Sequence, residues 1–177
     1  MVVVTISAIS IVRLITNSAS IWNDVESSGI SGVTGVWAHE VAATRLFNVI
    51  SIKQAYAGHS KQAGILAASC KSAAYLGRFT VVVDDDVDST DVNDVIWAIS
   101  TRCDPVKDID FIRGMWSSPL DPIISHDDPV AACVSHRAVI DACRPYGRLK
   151  DYPKVARASV DVLAKAKEKF VELLARA

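Results

Sequence analysis

The stretch RFTVVVDDDVDSTDVNDVIWAISTR, Arg78 to Arg102, decides how the chain is read. Val81–Val83 form an apolar β-branched run of the kind found in a strand buried on both faces. Beyond it Val92, Val95, Ile96 and Ile99 recur at helical spacing, one apolar stripe. Asp88, Ser89 or Thr90 can cap that helix, with Asp91 and Asp94 complementing its positive end. Asp104-Pro105 ends it. Between strand and helix stand the aspartates.

Working outward, Leu46–Lys53 (LFNVISIK) reads as a second buried strand. Ser60 is placed to cap a helix, KQAGILAASCKSAAYLG, that Gly77 would stop. The Ala, Ser and Gly of that helix allow close approach to a sheet. Upstream, residues 20–30 read as a short amphipathic helix with Ile21, Trp22 and Val25 on one face and Gly29 as its stop. Gly32 and Gly35 read as turns, and residues 104–130 as loop. The alternation of Val4, Ile6 and Ala8 with Thr5 and Ser7 reads as a strand. After Pro153 the rest of the chain reads as one long helix, with Val155, Val162, Leu163, Ala166, Phe170 and Leu174 as its stripe. Strand and helix alternate, so the expected fold is α/β, a largely parallel sheet flanked by helices. The long C-terminal helix is expected to serve oligomerisation.

Composition narrows the function classes. The chain has 177 residues and a net charge of −1, with no basic face that would suggest nucleic acid. Arg13 interrupts the apolar N-terminus well short of the roughly 20 residues a membrane span needs, and no basic region precedes it. Cys70, Cys103, Cys133 and Cys143 form no C-x-x-C pair and read as plain, mostly buried thiols. Scattered thiols fit the cytoplasm. A soluble cytoplasmic chain is expected.

Five carboxylates fall within residues 81–91. Asp84, Asp86 and Asp88 have the opening spacing of a calcium loop, but its sixth position is Ser89 and its twelfth Val95, where Gly and Glu are required. Asp84 and Asp86 also form a D-x-D at a strand end, as in metal-dependent nucleotide-sugar transferases. The third reading is a solvated strand end that caps the next helix. Three adjacent carboxylates repel one another, which would raise a pKa or invite a cation.

The longer pattern favours a different setting. SIKQAYAGHSKQAG, VVVDDDVDSTDVNDVIWAISTRCDPVKDIDFI and RGMWSSPLDP stand in an order that resembles the UbiD-type decarboxylases. Ala57 departs from the Pro common in that family's Y-x-G-H loop. The resemblance implies a carboxy-lyase that uses prenylated FMN on aromatic or α,β-unsaturated acids. It also implies that the flavin-binding barrel, the Glu-Arg-Glu constellation and the residues holding a divalent metal (Mn or Mg) and potassium lie outside this sequence. The domains expected are an unmatched segment 1–20, an α/β C-terminal domain 21–150 and an oligomerisation helix 151–177.

By the same resemblance, Arg102 lies toward the cofactor phosphate and its ions, and Lys71 faces the active-site cleft. Tyr75, Leu76, Ser118 and Leu120 line the substrate end. Salt bridges from Arg102 to Asp104 or Asp108, a solvated Lys71 and ordinary packing are the alternatives. Lys53, Tyr56 and His59 read as structural, with an acidic partner for Lys53 among Asp84–Asp86. His39-Glu40 is set aside as an acid–base pair, since adjacent residues rarely face one point. The chain alone is expected to be inactive, working as a homo-oligomer or with a chain that carries the flavin domain. A non-catalytic assembly or regulatory module is the alternative, and a transferase using Asp84 and Asp86 ranks below it.

Overall fold

The structure, a computed structural model, describes residues 8–124, 133–156 and 158–171. Its elements in chain order are α1 (Ala8–Ser27), β1 (Val33–Ala38), β2 (Phe47–Ile52), α2 (His59–Ser69), α3 (Lys71–Ala74), β3 (Phe79–Asp84), α4 (Val92–Arg102), β4 (Ile109–Trp116), β5 (Val134–Ala142) and α5 (Val160–Lys169). One five-stranded sheet has the order β1-β2-β3-β5-β4. The central three strands are parallel, and an antiparallel strand borders them on each side. The sheet is therefore mixed rather than largely parallel.

The three valines split between two cores because alternate side chains of a strand face opposite ways. Val82 packs with Ile21, Val25, Ile50, Ile52, Ala63 and Ala67, beneath α1 and α2. Val81 and Val83 pack with Val49, Val95, Ala98 and Ala142, beneath α4. Each face of β3 thus has its own helical layer, and the run needs no polar alternation.

The small residues of α2 do what their size allows. A Cβ on Gly64 would lie 2.6 Å from Val139 Cγ1 and 2.8 Å from Val82 Cγ2, so the helix backbone rests directly on β3 and β5. The helix breaks at Cys70 before the single turn α3. Its N-cap is Gly58, at φ +83°, and not Ser60. Ser60 lies inside the helix and donates to Asp141 Oδ2 at 2.6 Å. Gly77 has no positive φ. It is required because a Cβ there would meet the Ala73 carbonyl at 2.5 Å.

Several other expectations shift. Helix α1 runs unbroken from Ala8 through position 20, burying Leu14, Ser18, Ile21 and Val25, and Gly29 (φ +91°) follows its end as expected. The strand read at Val4–Ala8 otherwise lies outside the described residues. Gly35 is part of β1, not a turn, where it makes room for the Ser89 side chain. β4 occupies part of the segment read as loop, and β5 had no sequence reading of its own. Asp91 itself caps α4, accepting from the Asn93 N–H. At the other end of the chain α5 starts at Val160, capped by Ser159, so residues 154–156 are not helical. Val162, Leu163 and Phe170 are exposed. Leu174 lies outside the described residues. Only Cys143 of the four cysteines is buried, the other three being half-buried. No helix among the described residues is long and apolar enough to cross a membrane.

Replacing Gly64 with Ala forces a methyl into the α2–sheet contact. The expected cost is roughly 1–3 kcal/mol, measured by urea unfolding. A neutral result would mean that α2 does not rest on the sheet as described.

Candidate functional site

Asp84 ends β3 with its side chain buried, Asp85 points into solvent, and Asp86 is half-covered. Four groups converge on Asp84. Gln54 Nε2 donates to Oδ1 at 2.7 Å, the Arg144 backbone N–H and Nε donate to Oδ2 at 2.7 and 2.9 Å, and Arg102 Nη1 reaches Oδ2 at 3.2 Å. Arg102 also forks onto Asp86, Nη1 to Oδ1 at 2.9 Å and Nη2 to Oδ2 at 2.8 Å. The cation that the aspartate run invites is thus a pair of guanidinium groups from Arg102 and Arg144. The Arg102 hydrogen bonds hold the Asp86 carboxyl below its ordinary range against the opposing effect of burial.

Asp84 and Asp86 thus have guanidinium partners where the D-x-D reading put a metal, and the two positive charges match the two carboxylates. The arrangement also replaces the partners expected for Arg102, which are Asp84 and Asp86, not Asp104 or Asp108. Asp104 accepts from Lys107 instead, and Asp108 accepts from the Asp104 N–H. Lys53 is exposed, and its neighbour Gln54 is the residue that meets the run.

The signature loop is held by its own contacts. Tyr56 stacks on His59 with ring centroids 4.2 Å apart, His59 Nδ1 accepts from the Ala55 N–H at 3.1 Å, and Tyr146 donates to the Ala55 carbonyl at 2.8 Å. Burial lowers the pKa of His59, which favours the neutral ring that accepts this bond. His39, also lowered by burial, bonds the Ser89 carbonyl through Nε2 at 3.0 Å and sits edge-on to Phe47. Its ring is committed to the loop before α4.

The other site residues gather where the parallel strands begin, not where they end. Lys71 is exposed at the start of α3, and Tyr75 follows that turn with its ring under the Arg45 guanidinium (4.8 Å) and 6.2 Å from Trp116. Leu76 is half-buried. Ser118 is fully buried, its hydroxyl accepting from the Leu120 N–H at 3.2 Å, while Leu120 is 72% exposed. The structure therefore brings Tyr75 and Leu76 to the same sheet edge as Ser118 and Leu120. Arg102 is at the other edge, across a six-residue strand that spans roughly 17–20 Å. Arg102 and Lys71 do not meet.

Sequence reading missed the charged groups beneath this edge. Arg78 pairs with Asp121, whose other oxygen accepts from Ser117 at 3.0 Å. Burial would raise the Asp121 carboxyl, but the Ile123 N–H, Ser117 and Arg78 outweigh it and lower the pKa. Arg137, from β5, is 1% exposed. Its Nη2 donates to the Ala74 and Trp116 carbonyls, both at 2.6 Å, while Nε and Nη1 have no hydrogen-bond partner among the described residues. Burial pulls its pKa down, Asp121 opposing and Arg78 adding to that effect. The only signal in the sequence was a charged residue within the apolar pattern VSHRAVIDA, at a strand that was itself not recognised.

Fold and edge together define an α/β domain that presents an aromatic-rimmed wall at the beginning of its parallel strands. A family model described as the 3-octaprenyl-4-hydroxybenzoate carboxy-lyase C-terminal domain matches residues 10–142, and the chain belongs to that family, the UbiD decarboxylases. Among solved structures it is similar to apo 3,4-dihydroxybenzoic acid decarboxylase (AroY) from Klebsiella pneumoniae, at 26% identity and a TM-score of 0.72, over 91% of this chain and 34% of that one. It is also similar to the UbiD-class enzyme HmfF from Pelotomaculum thermopropionicum in complex with FMN, at 26% identity and a TM-score of 0.71, over 85% of this chain and 32% of that one. The fold is shared with 3,4-dihydroxybenzoic acid decarboxylase from Enterobacter cloacae, at 24% identity and a TM-score of 0.72, over 91% of this chain and 34% of that one. The chain spans about a third of the length of these proteins.

Two predictions concern the aspartate cluster. Replacing Arg102 with Met leaves the buried Asp84 short of a counter-charge, and the expected loss is about 3–5 kcal/mol, read by chemical denaturation. For Asp86, the folded pKa lies below the unfolded value of about 3.9. Its contribution is present above that value and is lost as pH falls through the folded pKa. The Asp86→Asn variant is expected to lose less stability than the parent as pH falls below about 4. Parallel losses would show that the Arg102 fork does not favour the charged form.

Proposed function

We propose that this chain is the C-terminal domain or subunit of a UbiD-type decarboxylase acting on aromatic or α,β-unsaturated carboxylic acids through prenylated FMN. What carries the reading is the family match over residues 10–142, joined to coverage of only a third of similar enzymes. HmfF, by its printed description, is a UbiD-class enzyme seen with FMN, and AroY is a 3,4-dihydroxybenzoic acid decarboxylase. Within the chain, the domain expected at 21–150 takes in the whole of α1, from Ala8, and 151–177 acts as the assembly segment.

The residues support a supporting role. Lys71 offers an exposed ammonium to an anionic group. Arg102 has both terminal nitrogens taken by carboxylates, so it serves the cofactor side by fixing the loop at Asp84–Asp86 and not by presenting a free fork. The manganese or magnesium and the potassium that the family resemblance implies are assigned to the flavin-binding region. The chemistry that prenylated FMN supplies when bound is delocalisation of the electron pair left as CO2 departs. The chain's own residues shape the substrate end: Tyr75 and Trp116 give it an aromatic face, Leu120 an exposed apolar contact, and buried Ser118 holds the turn that carries Leu120.

On this reading the 177 residues by themselves neither hold flavin nor turn over. Protein co-expressed with a flavin prenyltransferase is expected to show no stoichiometric flavin band, and a chain carrying the flavin domain is expected to restore it. A flavin band with CO2 release from the chain alone would overturn the prediction of inactivity. No flavin and no aromatic-acid turnover after completion would overturn the decarboxylase assignment.

A second role is favoured by one observation, the exposed apolar stripe of α5. Val162 and Leu163 are 55% and 49% exposed and share the stripe with an exposed Phe170. The helix is assigned to assembly with a second copy. Light scattering is expected to show fewer subunits per particle when residues 153–177 are removed, and an unchanged number of subunits would refute the assignment.

A further inference from the structure

The two segments assigned to the substrate wall are far apart in sequence. Tyr75 and Leu76 follow α3, whereas Ser118 and Leu120 follow β4. The sheet's own hydrogen bonds do not join them: β4 pairs with β5, and α3 lies above the beginnings of the strands. Side chains do, the Arg78–Asp121 pair on one side and Arg137, which holds both backbones at once, on the other. Arg137, opposite Ile112 in the β4–β5 ladder, shares the α2-covered face of β5 with Val139, which lies against Gly64. From there its Nη2 reaches the carbonyl of Ala74, the last residue of α3, and that of Trp116, the last residue of β4, at 2.6 Å each.

We propose that Arg137 is a positioning residue that clamps these two wall segments to each other, and so sets the width of the substrate end. The inference rests on the decarboxylase reading above. Ala74 is followed directly by Tyr75, and Trp116 by Ser117 and Ser118. A shift in either carbonyl therefore moves wall residues with it. The Ala74 carbonyl lies at the end of its helix, where the last carbonyls have no intrahelical donor. Burial shields the clamp from bulk water, which strengthens its hydrogen bonds. The neighbouring Arg78–Asp121–Ser117 contacts fix the far side of the 117–121 turn, so that turn is held at both ends. A single nitrogen makes both bonds. An ammonium could make them too, whereas an apolar side chain of similar length could not.

Hydrogen exchange on the 177-residue protein tests the clamp without flavin or substrate. In Arg137→Met, exchange at residues 71–77 and 117–121 is expected to rise together by about tenfold, a hydrogen bond's worth, with β2 and β3 little changed. Arg137→Lys is expected to restore the parent pattern. Exchange that rises evenly through the sheet, rises in one segment alone, or is not rescued by Lys would overturn the clamp. If Arg137→Met does not fold, the Lys variant still decides: a raised exchange there has the same meaning. In the enzyme completed by its flavin domain, the clamp predicts a raised KM for the aromatic acid in an Arg137→Gln variant, with kcat within about twofold. Coupled exchange without a KM effect would leave the clamp standing and sink the substrate-wall reading.

Discussion

A buried carboxylate at the end of the central strand organises the carboxyl edge of this domain. Asp84 cannot remain charged in an apolar surround without partners, because desolvation of a bare carboxylate costs several kcal/mol. Its partners come from three separate places: Gln54 after β2, Arg102 at the end of α4 and Arg144 after β5. Satisfying one side chain therefore ties together the ends of β2, β3, α4 and β5. The remaining aspartates serve more local ends. Asp86 completes the fork of Arg102, Asp88 accepts from Thr90, and Asp91 caps α4.

The opposite edge uses the same physics for a different purpose. There a half-buried Arg78 and a buried Arg137 flank the buried carboxylate of Asp121. The carboxyl edge is closed by balanced ion pairs, whereas the amino edge carries an aromatic face and an exposed leucine. That division accounts for a domain that is stabilised at one end and presents its candidate working surface at the other.

Sequence reading succeeded where a single local signal sufficed. β2, β3 and α4 were legible because apolar runs and periodic stripes reflect burial directly. Gly29 was legible as a stop because its left-handed backbone is a local requirement. Reading failed where local signals pointed the wrong way. β1 contains a glycine that the close approach of Ser89 demands, and glycine usually reads as a turn. β4 is an edge strand with exposed positions, so its pattern is weak, and β5 carries a buried arginine inside an apolar run. The cap of α2 was misplaced because Ser60 is a good cap by type, yet its hydroxyl has a better partner in Asp141.

By itself the sequence determined the family, the α/β class and the order of the block motifs, because these depend on residue types at fixed spacing along the chain. Only the tertiary structure decided which charges meet. Arg102 stood within reach of Asp104 and Asp108 in sequence, but the turn at Cys103 and the end of β3 bring Asp84 and Asp86 to it instead. It also decided that Lys71 and Arg102 lie at opposite ends of the sheet, and that Arg137 spans two segments more than 40 residues apart. Pairing between distant residues follows from strand order and register, which no local pattern encodes.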